Sequence, residues 1–349
     1  MFEDSKIEDV IDKDFIYIDL RSPSEYKSSH IAGALNLPIL DDDERKIVGT
    51  LYDNSQVEKA KLLAVKYASV KLSDFYEKIV NLTKEATPIL YCSRGGMRSG
   101  VLFNFLRSMK IPVKKLHGGY KAYRNYQIEA LKKMTEEIDF IVLDGYTGCG
   151  KTHIIEELKG LGLDTLNLEK CANHRGSILG AVLLSDQPSQ KQFETNIFEE
   201  LRKRKSNLVF VEAESIRIGK LNVPKYLFDK YNSSKRILIT SSLEKRKERI
   251  KKDYVHDNDL ELIDTLKNLK KRINENLVDQ MIKEIENKNY DIVIERLMMN
   301  YYDPHYKSSN KTFIREFLNE NSRDTALKIK EFLNEKNKMW KNHIFFYIY

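Results

Sequence analysis

The 349-residue chain has only three cysteines, too few for a disulfide scaffold, and no Cys-x-x-Cys pair of the kind that holds zinc. No apolar run approaches the ~20 residues of a membrane span. The segment Met1 to Asp14 carries acidic residues and lacks the basic-then-apolar order of a secretory leader. Internal repeats and low-complexity tracts are absent too. Nor is there a strong excess of one charge: 59 Lys and Arg stand against 52 Asp and Glu, a net of +7. Residues 1–138 hold 22 basic and 20 acidic groups, and the remainder holds 37 and 32. That mild excess permits a nucleic-acid partner without demanding one. What is present is 41% hydrophobic and 32% charged residues at a mean hydropathy of −0.51. This is too apolar for disorder, and a reduced cytoplasmic enzyme is the default expectation. At roughly 100–200 residues per domain the length predicts two or three domains.

Short β-rich runs punctuate helical patterns. Asp14 to Leu20, Pro88 to Tyr91 and Val113 to Leu116 read as strands, with helices at Ser55 to Ala68 and Ser99 to Met109. A polar, helix-prone stretch from Lys121 to Glu137 reads as a connector. Strand signals restart at Phe140 to Leu143 and recur at Leu208 to Val211 and Arg236 to Ile239. The expectation is two α/β units in series with mostly parallel sheets. From Leu243 to Lys338 the pattern is Lys/Glu-rich and helical, with a break at Tyr301 to His305.

Cys92-Ser93-Arg94-Gly95-Gly96-Met97-Arg98-Ser99 follows a strand and precedes a helix. α/β folds bind ligands at the carboxyl ends of strands. A loop of small residues there turns N–H groups inward as an anion nest, and the next helix adds its positive end. Arg94 and Arg98 would reinforce the nest, and a cysteine at its rim would be a thiolate near neutral pH. A plain buried cysteine is the simpler reading, but it leaves two glycines and two arginines in six residues unexplained. The Cys-x5-Arg spacing suits a tetrahedral oxyanion, as in cysteine-dependent phosphatases.

Gly145-Tyr146-Thr147-Gly148-Cys149-Gly150-Lys151-Thr152 fits G-x-x-x-x-G-K-[ST] and lies between a strand and a helix, the context that motif needs. Loop amides would cradle phosphates, Lys151 would neutralise the outer one, and Thr152 could hold Mg²⁺. Cys149 fills a free position. The acid expected at the end of a later strand is Glu212 or Glu214, neither the usual aspartate. Di- or triphosphate binding is therefore better founded than nucleotide turnover, and Mg²⁺ stays open.

Two upstream stretches, Ile18-Asp19-Leu20-Arg21-Ser22-Pro23 and His30-Ile31-Ala32-Gly33-Ala34, taken with Cys92 after its strand, resemble a rhodanese domain. The resemblance makes the Asp19 and Arg21 stretch structural and His30 a scaffold residue. Leu168-Glu169-Lys170-Cys171-Ala172-Asn173-His174-Arg175-Gly176-Ser177 is a polar cluster after the phosphate loop. Gln187 to Glu194 and Glu212-Ala213-Glu214-Ser215-Ile216-Arg217 follow it. With the Cys92 loop, these closely resemble the tRNA 2-selenouridine synthase family over roughly Asp14 to Pro304. The resemblance implies a selenium-for-sulfur exchange at the wobble 2-thiouridine of certain tRNAs. It also implies selenophosphate as donor and an S-geranyl intermediate made from geranyl diphosphate. An enzyme supplying selenophosphate is a further implied partner. Cys92 would accept or position selenium and attack or deliver it at C2. Ser93 to Arg98 would bind selenophosphate, and Gly145, Gly148, Gly150, Lys151 and Thr152 the departing diphosphate. His174, Arg175, Glu212, Glu214 and Arg217 are candidates for substrate or tRNA contact, with a hydrogen-bonded helix cap the alternative for His174 and Arg175.

The predicted organisation is a rhodanese-like domain at 1–125, a connecting helix at 126–138, a P-loop NTPase-like domain at 139–300 and a helical tail at 301–349. Basic runs at Arg202 to Lys205, Lys245 to Lys252 and Lys270 to Arg272 could meet tRNA phosphates near the anticodon loop, and a few of the 34 Tyr and Phe could stack on splayed bases. The rivals are a small-molecule or nucleotide kinase with an appended rhodanese, a non-enzymatic sulfur carrier, and a cysteine phosphatase. The oligomeric state and the tRNAs used are not legible.

Overall fold

A computed structural model describes residues 4–177, 180, 182, 184–255, 259–270, 274–306 and 311–345, without the side chains of 305 and 336–345. The chain divides into two compact units, Met1–Lys132 and Lys133–Tyr349.

In the first unit, β1 (Phe15–Asp19) leads to α1 (Pro23–Ser28) and β2 (Leu35–Asn36), and the helices α2 (Asp42–Asp53), α3 (Val57–Ser69) and α4 (Leu72–Leu82) precede β3 (Thr87–Tyr91). Then come α5 (Met97–Ser108), β4 (Lys114–Lys115) and α6 (Gly119–Glu137), which runs across the boundary. The four strands pair in parallel in the order β2-β1-β3-β4. β1 and β3 occupy the middle because their alternating Ile, Tyr and Leu side chains bury on both faces of the sheet. Ile18, Leu90, Leu102 and Leu106 pack on one side, and Tyr17, Ile31, Ile89 and Tyr123 on the other. Asp41 starts α2 with a reciprocal cap, accepting from the Glu44 N–H at 2.8 Å while its own N–H donates to the Glu44 carboxylate.

The second unit opens with β5 (Asp139–Asp144), α7 (Lys151–Gly160), β6 (Thr165–Leu166), α8 (Leu168–Ala172), α9 (Gln190–Arg202) and β7 (Leu208–Glu212). A small antiparallel hairpin, β8 (Arg217–Ile218) with β9 (Leu221–Asn222), precedes α10 (Lys225–Asn232) and β10 (Lys235–Thr240). The helices α11 (Leu243–Tyr254), α12 (Leu260–Leu269), α13 (Glu275–Glu286) and α14 (Tyr290–Leu297) form a bundle with its own core, including Leu266, Val278, Met281 and Leu297. A π-helical turn, Met298–Tyr302, continues into α15 (Asp303–Tyr306), and the chain closes with β11 (Phe313–Leu318) and α16 (Ser322–Phe345). The parallel sheet order is β11-β10-β5-β7-β6. Among the described residues no helix is long and apolar enough to cross a membrane.

The fold class is as expected from the sequence: a parallel α/β unit, a second parallel α/β unit and a largely helical C-terminal region. Two local features differ from the sequence pattern. The predicted break at Tyr301 to His305 is instead a continuous run, in which α14 passes through the π-helical turn into α15 with Pro304 inside it. The helical pattern after it is interrupted by β11, an edge strand whose side chains are mostly exposed and so show no apolar alternation.

Candidate functional site

In the first unit, β3 delivers Cys92 to the sheet's carboxyl edge, and the loop to α5 folds back against the start of α6. The Cys92 carbonyl accepts from the Tyr120 N–H at 2.8 Å and that of Ser93 from the Lys121 N–H at 3.0 Å. So close an approach requires glycine at 119: at φ +57°, a Cβ there would lie 2.2 Å from the Cys92 oxygen. Cys92 is 3% exposed, with its Sγ 3.2 Å from Ser99 Oγ. Burial pushes the thiol up. The Ser99 hydroxyl, the backbone N–H groups of Ser99 and Arg94, and the charge of Arg98 outweigh it, so the thiol sits below its ordinary value.

The two loop arginines divide. Arg94 and Met97 are exposed at the mouth of the loop. Arg98 is closed on Glu25, with Nη1 2.6 Å from Oε2, and its Nη2 donates to Ser93 Oγ at 2.7 Å. Ser93 donates to the same carboxylate at 2.8 Å. Although burial raises Glu25, Arg98 and Ser93 hold it at about 2. The loop is thus braced from α1 by a partner the sequence reading did not include. Gly95 and Gly96 form the turn between Arg94 and α5. Asp19 and Arg21 pair beneath the loop, buried, at 2.6 Å, and Arg21 also donates to the Ser29 carbonyl. His30 stacks on Tyr26 and bonds its carbonyl at 2.9 Å, a scaffold position.

In the second unit, β5 and α7 frame the phosphate loop over a cleft of about 440 Å³, lined by Gly145, Gly148, Gly150, Lys151 and Thr152 among others. Lys151 Nζ donates to the carbonyls of Gly145 at 2.8 Å and Tyr146 at 3.3 Å, folded over the loop it belongs to. Thr152 Oγ1 donates to Glu169 Oε2 at 2.8 Å. Glu169 stands three residues beyond β6, in the first turn of α8, and its own N–H donates to Glu212 Oε1 at 2.9 Å. Glu212, ending β7, is fully buried, and its Oε2 has no partner. Glu214 faces Glu169 across Gly176, where a Cβ would meet oxygens of both carboxylates within 2.8 Å. Burial raises all three, each further raised by a carboxylate neighbour; for Glu214, burial and then Glu169 bring it to about 8. Of the two candidate acids, Glu214 lines the cleft and Glu212 stands behind it.

Arg175 lines the cleft, its guanidinium 5.3 Å from the Tyr254 ring and bonded to the Val182 carbonyl. His174 is buried with an unpartnered Nδ1, and burial lowers its pKa, so it is a neutral packing residue beside the loop. Arg217 lies exposed on the β8–β9 hairpin, outside the cleft lining.

The run Lys245 to Lys252 turns its arginines inward. Arg246, 6% exposed, donates to the Thr147 carbonyl at 2.8 Å and pairs with Asp303. Arg249 donates to the Gly148 carbonyl at 3.3 Å and to Asn319. In the run at 202–205, Arg202 and Arg204 pair with Glu199 and Glu137. Lys270 pairs with Glu275 and Asp279, while Lys271 and Arg272 lie outside the described residues. The sequence pattern assigns no role to Glu169 or Asn319, and it assigns Arg246 and Arg249 to tRNA contact rather than to the phosphate loop they hold. For Glu169 its place just past a strand end is a signal; for Asn319 there is none.

A cysteine loop at the end of one sheet's strand and a phosphate-loop motif at another's define a rhodanese-like domain joined to a P-loop domain. The family described as rhodanese-like domain matches residues 5–126, and the one described as tRNA 2-selenouridine synthase AAA domain matches residues 138–339. A tRNA 2-selenouridine synthase of Nitrosomonas europaea is 35% identical over 68% of this chain and 63% of its own length. One of Aeromonas salmonicida is 35% identical over 69% and 65%. One of Hydrogenovibrio crunogenus is 30% identical over 90% of this chain and 98% of its own. The chain therefore spans less than two thirds of the first two relatives and nearly all of the third. It belongs to the tRNA 2-selenouridine synthase family.

Proposed function

We propose that this protein replaces the sulfur of 2-thiouridine by selenium at the wobble position of tRNA, with the anticodon loop as its partner and the two sites dividing the chemistry. In the P-loop cleft the thiocarbonyl sulfur attacks C1 of geranyl diphosphate. The S–C1 bond forms, the C1–O bond breaks with its electron pair leaving on diphosphate, and the N3 proton is released. Lys151, the loop amides and Thr152 receive the diphosphate. A Mg²⁺ ion there would be held by Thr152 and Glu169, a hydroxyl and a carboxylate that suit a hard cation, and would add positive charge at the leaving group. At the Cys92 loop, selenophosphate enters the amide nest beside Arg94, and Cys92 positions selenium for attack at C2. Geranyl thiol leaves, and water takes the phosphoryl group from selenium. Alkylation makes this possible by turning a poor leaving group into a thiol.

The observation that carries the reading is a thiol lowered by its own loop and a phosphate loop in one chain of this family. Mass spectrometry of tRNA nucleosides tests it. Selenophosphate plus geranyl diphosphate should yield 2-selenouridine. Cys92→Ser should accumulate the S-geranyl nucleoside, and Lys151→Ala should lose geranyl transfer. Phosphoryl transfer from ATP without either nucleoside product would favour the kinase reading instead.

A further inference from the structure

The cleft combines two kinds of lining. The phosphate loop supplies one, and Ile250, Tyr254 and the rings of Tyr301, Tyr302 and Tyr306 supply the other, with Ile250 against Gly148 and Tyr306 against Tyr146. The π-helical turn accounts for part of this, because it presents the consecutive Tyr301 and Tyr302 to one cleft. Behind Tyr254 and Tyr302 lies a second cavity of about 20 Å³, apolar throughout, between α11, α12 and α14. Thr147, Ile250, Tyr254 and Tyr302 line both, so the two cavities adjoin across these side chains. Its walls, Leu262, Val293, Ile294 and Leu297, are nearly fully buried.

We propose that this wall is the subsite for the hydrocarbon chain of a prenyl diphosphate, with Ile250, Tyr254 and Tyr302 along the chain and Leu262, Val293 and Leu297 setting its length. The inference rests on the P-loop taking a prenyl diphosphate, and adds where the chain goes and what measures it. A ligand with two phosphates at one end and only hydrocarbon beyond matches a phosphate loop whose cleft adjoins an apolar cavity. A ribose and base would leave their hydrogen-bonding groups against Ile250, Val293 and Leu297, at a desolvation cost. The tyrosine rings have a second use. As the C1–O bond breaks, with its electron pair leaving on diphosphate, the allylic carbon gains positive charge, which ring faces attract. A cavity of about 20 Å³ holds little more than one water-sized group, so the chain ends there.

Binding of inorganic, dimethylallyl, geranyl and farnesyl diphosphate to the full chain tests this. Affinity should rise at least about tenfold from dimethylallyl to geranyl, since each buried methylene contributes a factor of about four, and then stop or fall at farnesyl. Leu297→Ala should raise farnesyl over geranyl binding and transfer, and Val293→Phe should shift preference toward dimethylallyl. Inorganic diphosphate binding as tightly as geranyl diphosphate would overturn the subsite while leaving the phosphate loop's role standing. So would an unchanged chain preference in a Leu297→Ala protein that melts as a folded chain. Failure of every diphosphate to bind, with ATP binding tightly, would overturn the P-loop reading and the subsite with it.

Discussion

Three cysteines sit in three electrostatic settings. Cys149 in the phosphate loop and Cys171 in α8 are buried among apolar atoms, and burial pushes both thiols up. Cys92 is buried too, yet three hydrogen-bond donors and Arg98 bring it down. As pH rises, thiolate absorbance should therefore appear at Cys92 before the other two. Replacing Ser99 by Ala removes the largest of its stabilising contacts, so the midpoint of that absorbance should move upward and the selenation rate should fall at neutral pH while recovering at higher pH. A midpoint that stays put would mean that the backbone N–H groups suffice. The thiol and its loop were legible in the sequence because Cys92, the glycines and the strand before them are local. The brace was not: Glu25 reaches Arg98 across 73 residues, and nothing in either segment predicts the pairing.

The same division holds among elements. Apolar strands in the middle of each sheet were readable, since burial on both faces demands continuous Val, Ile and Leu. The two-residue strands β2 and β6 and the exposed edge strand β11 lack that demand, whereas β4 lies within the predicted Val113 to Leu116. β11 nonetheless bears on the site, because it carries Asn319 to the phosphate loop. Fully buried, Asn319 donates to the Cys149 carbonyl at 2.7 Å, and its own carbonyl accepts from Arg249 at 2.8 Å and Ser241 at 2.7 Å. Gly150 must be glycine beneath it, at φ +82° and with a Cβ 2.7 Å from Asn319 Nδ2. The basic helix α11 completes the clasp through Arg246 and Arg249, which is why its charge run is a poor guide to tRNA contact. Asn319→Ala removes the side-chain donor to the Cys149 carbonyl and one of two acceptors of the Thr325 hydroxyl, which keeps the Asn321 carbonyl. It should cost about 1–3 kcal/mol of stability and weaken geranyl diphosphate binding, checked by thermal melting and titration calorimetry. Loss of stability with binding intact would make the contact structural only.

At the scale of the molecule, two units in one chain respond to pH in opposite senses. In the first, Glu25 falls from 4.5 to about 2 on folding. A lowered carboxylate contributes stability that is present above the unfolded value and is lost as pH falls from 4.5 toward 2, on the order of 1–2 kcal/mol once solvent screening of this half-buried pair is allowed for. In the second, Glu169, Glu212 and Glu214 are all raised by burial and mutual repulsion, Glu214 to about 8. A raised carboxylate keeps its proton longer in the folded state, so the stability it leaves intact below 4.5 is lost as pH rises toward 8. His174, lowered by burial from 6.5, acts in the reverse direction but only below that pH, so between 6.5 and 8 the carboxylates govern. Calorimetry across pH should therefore resolve two transitions. The second unit's midpoint should fall between pH 6.5 and 8 while the first unit's holds, and the first unit's should fall below pH 4.5. Glu214→Gln should flatten the alkaline loss and Glu25→Gln the acid one, each in its own transition. Transitions that move together across both windows would mean that the carboxylates behind the phosphate loop stay ionised at neutral pH, and that the crowding around Thr152 is relieved by a route other than proton uptake.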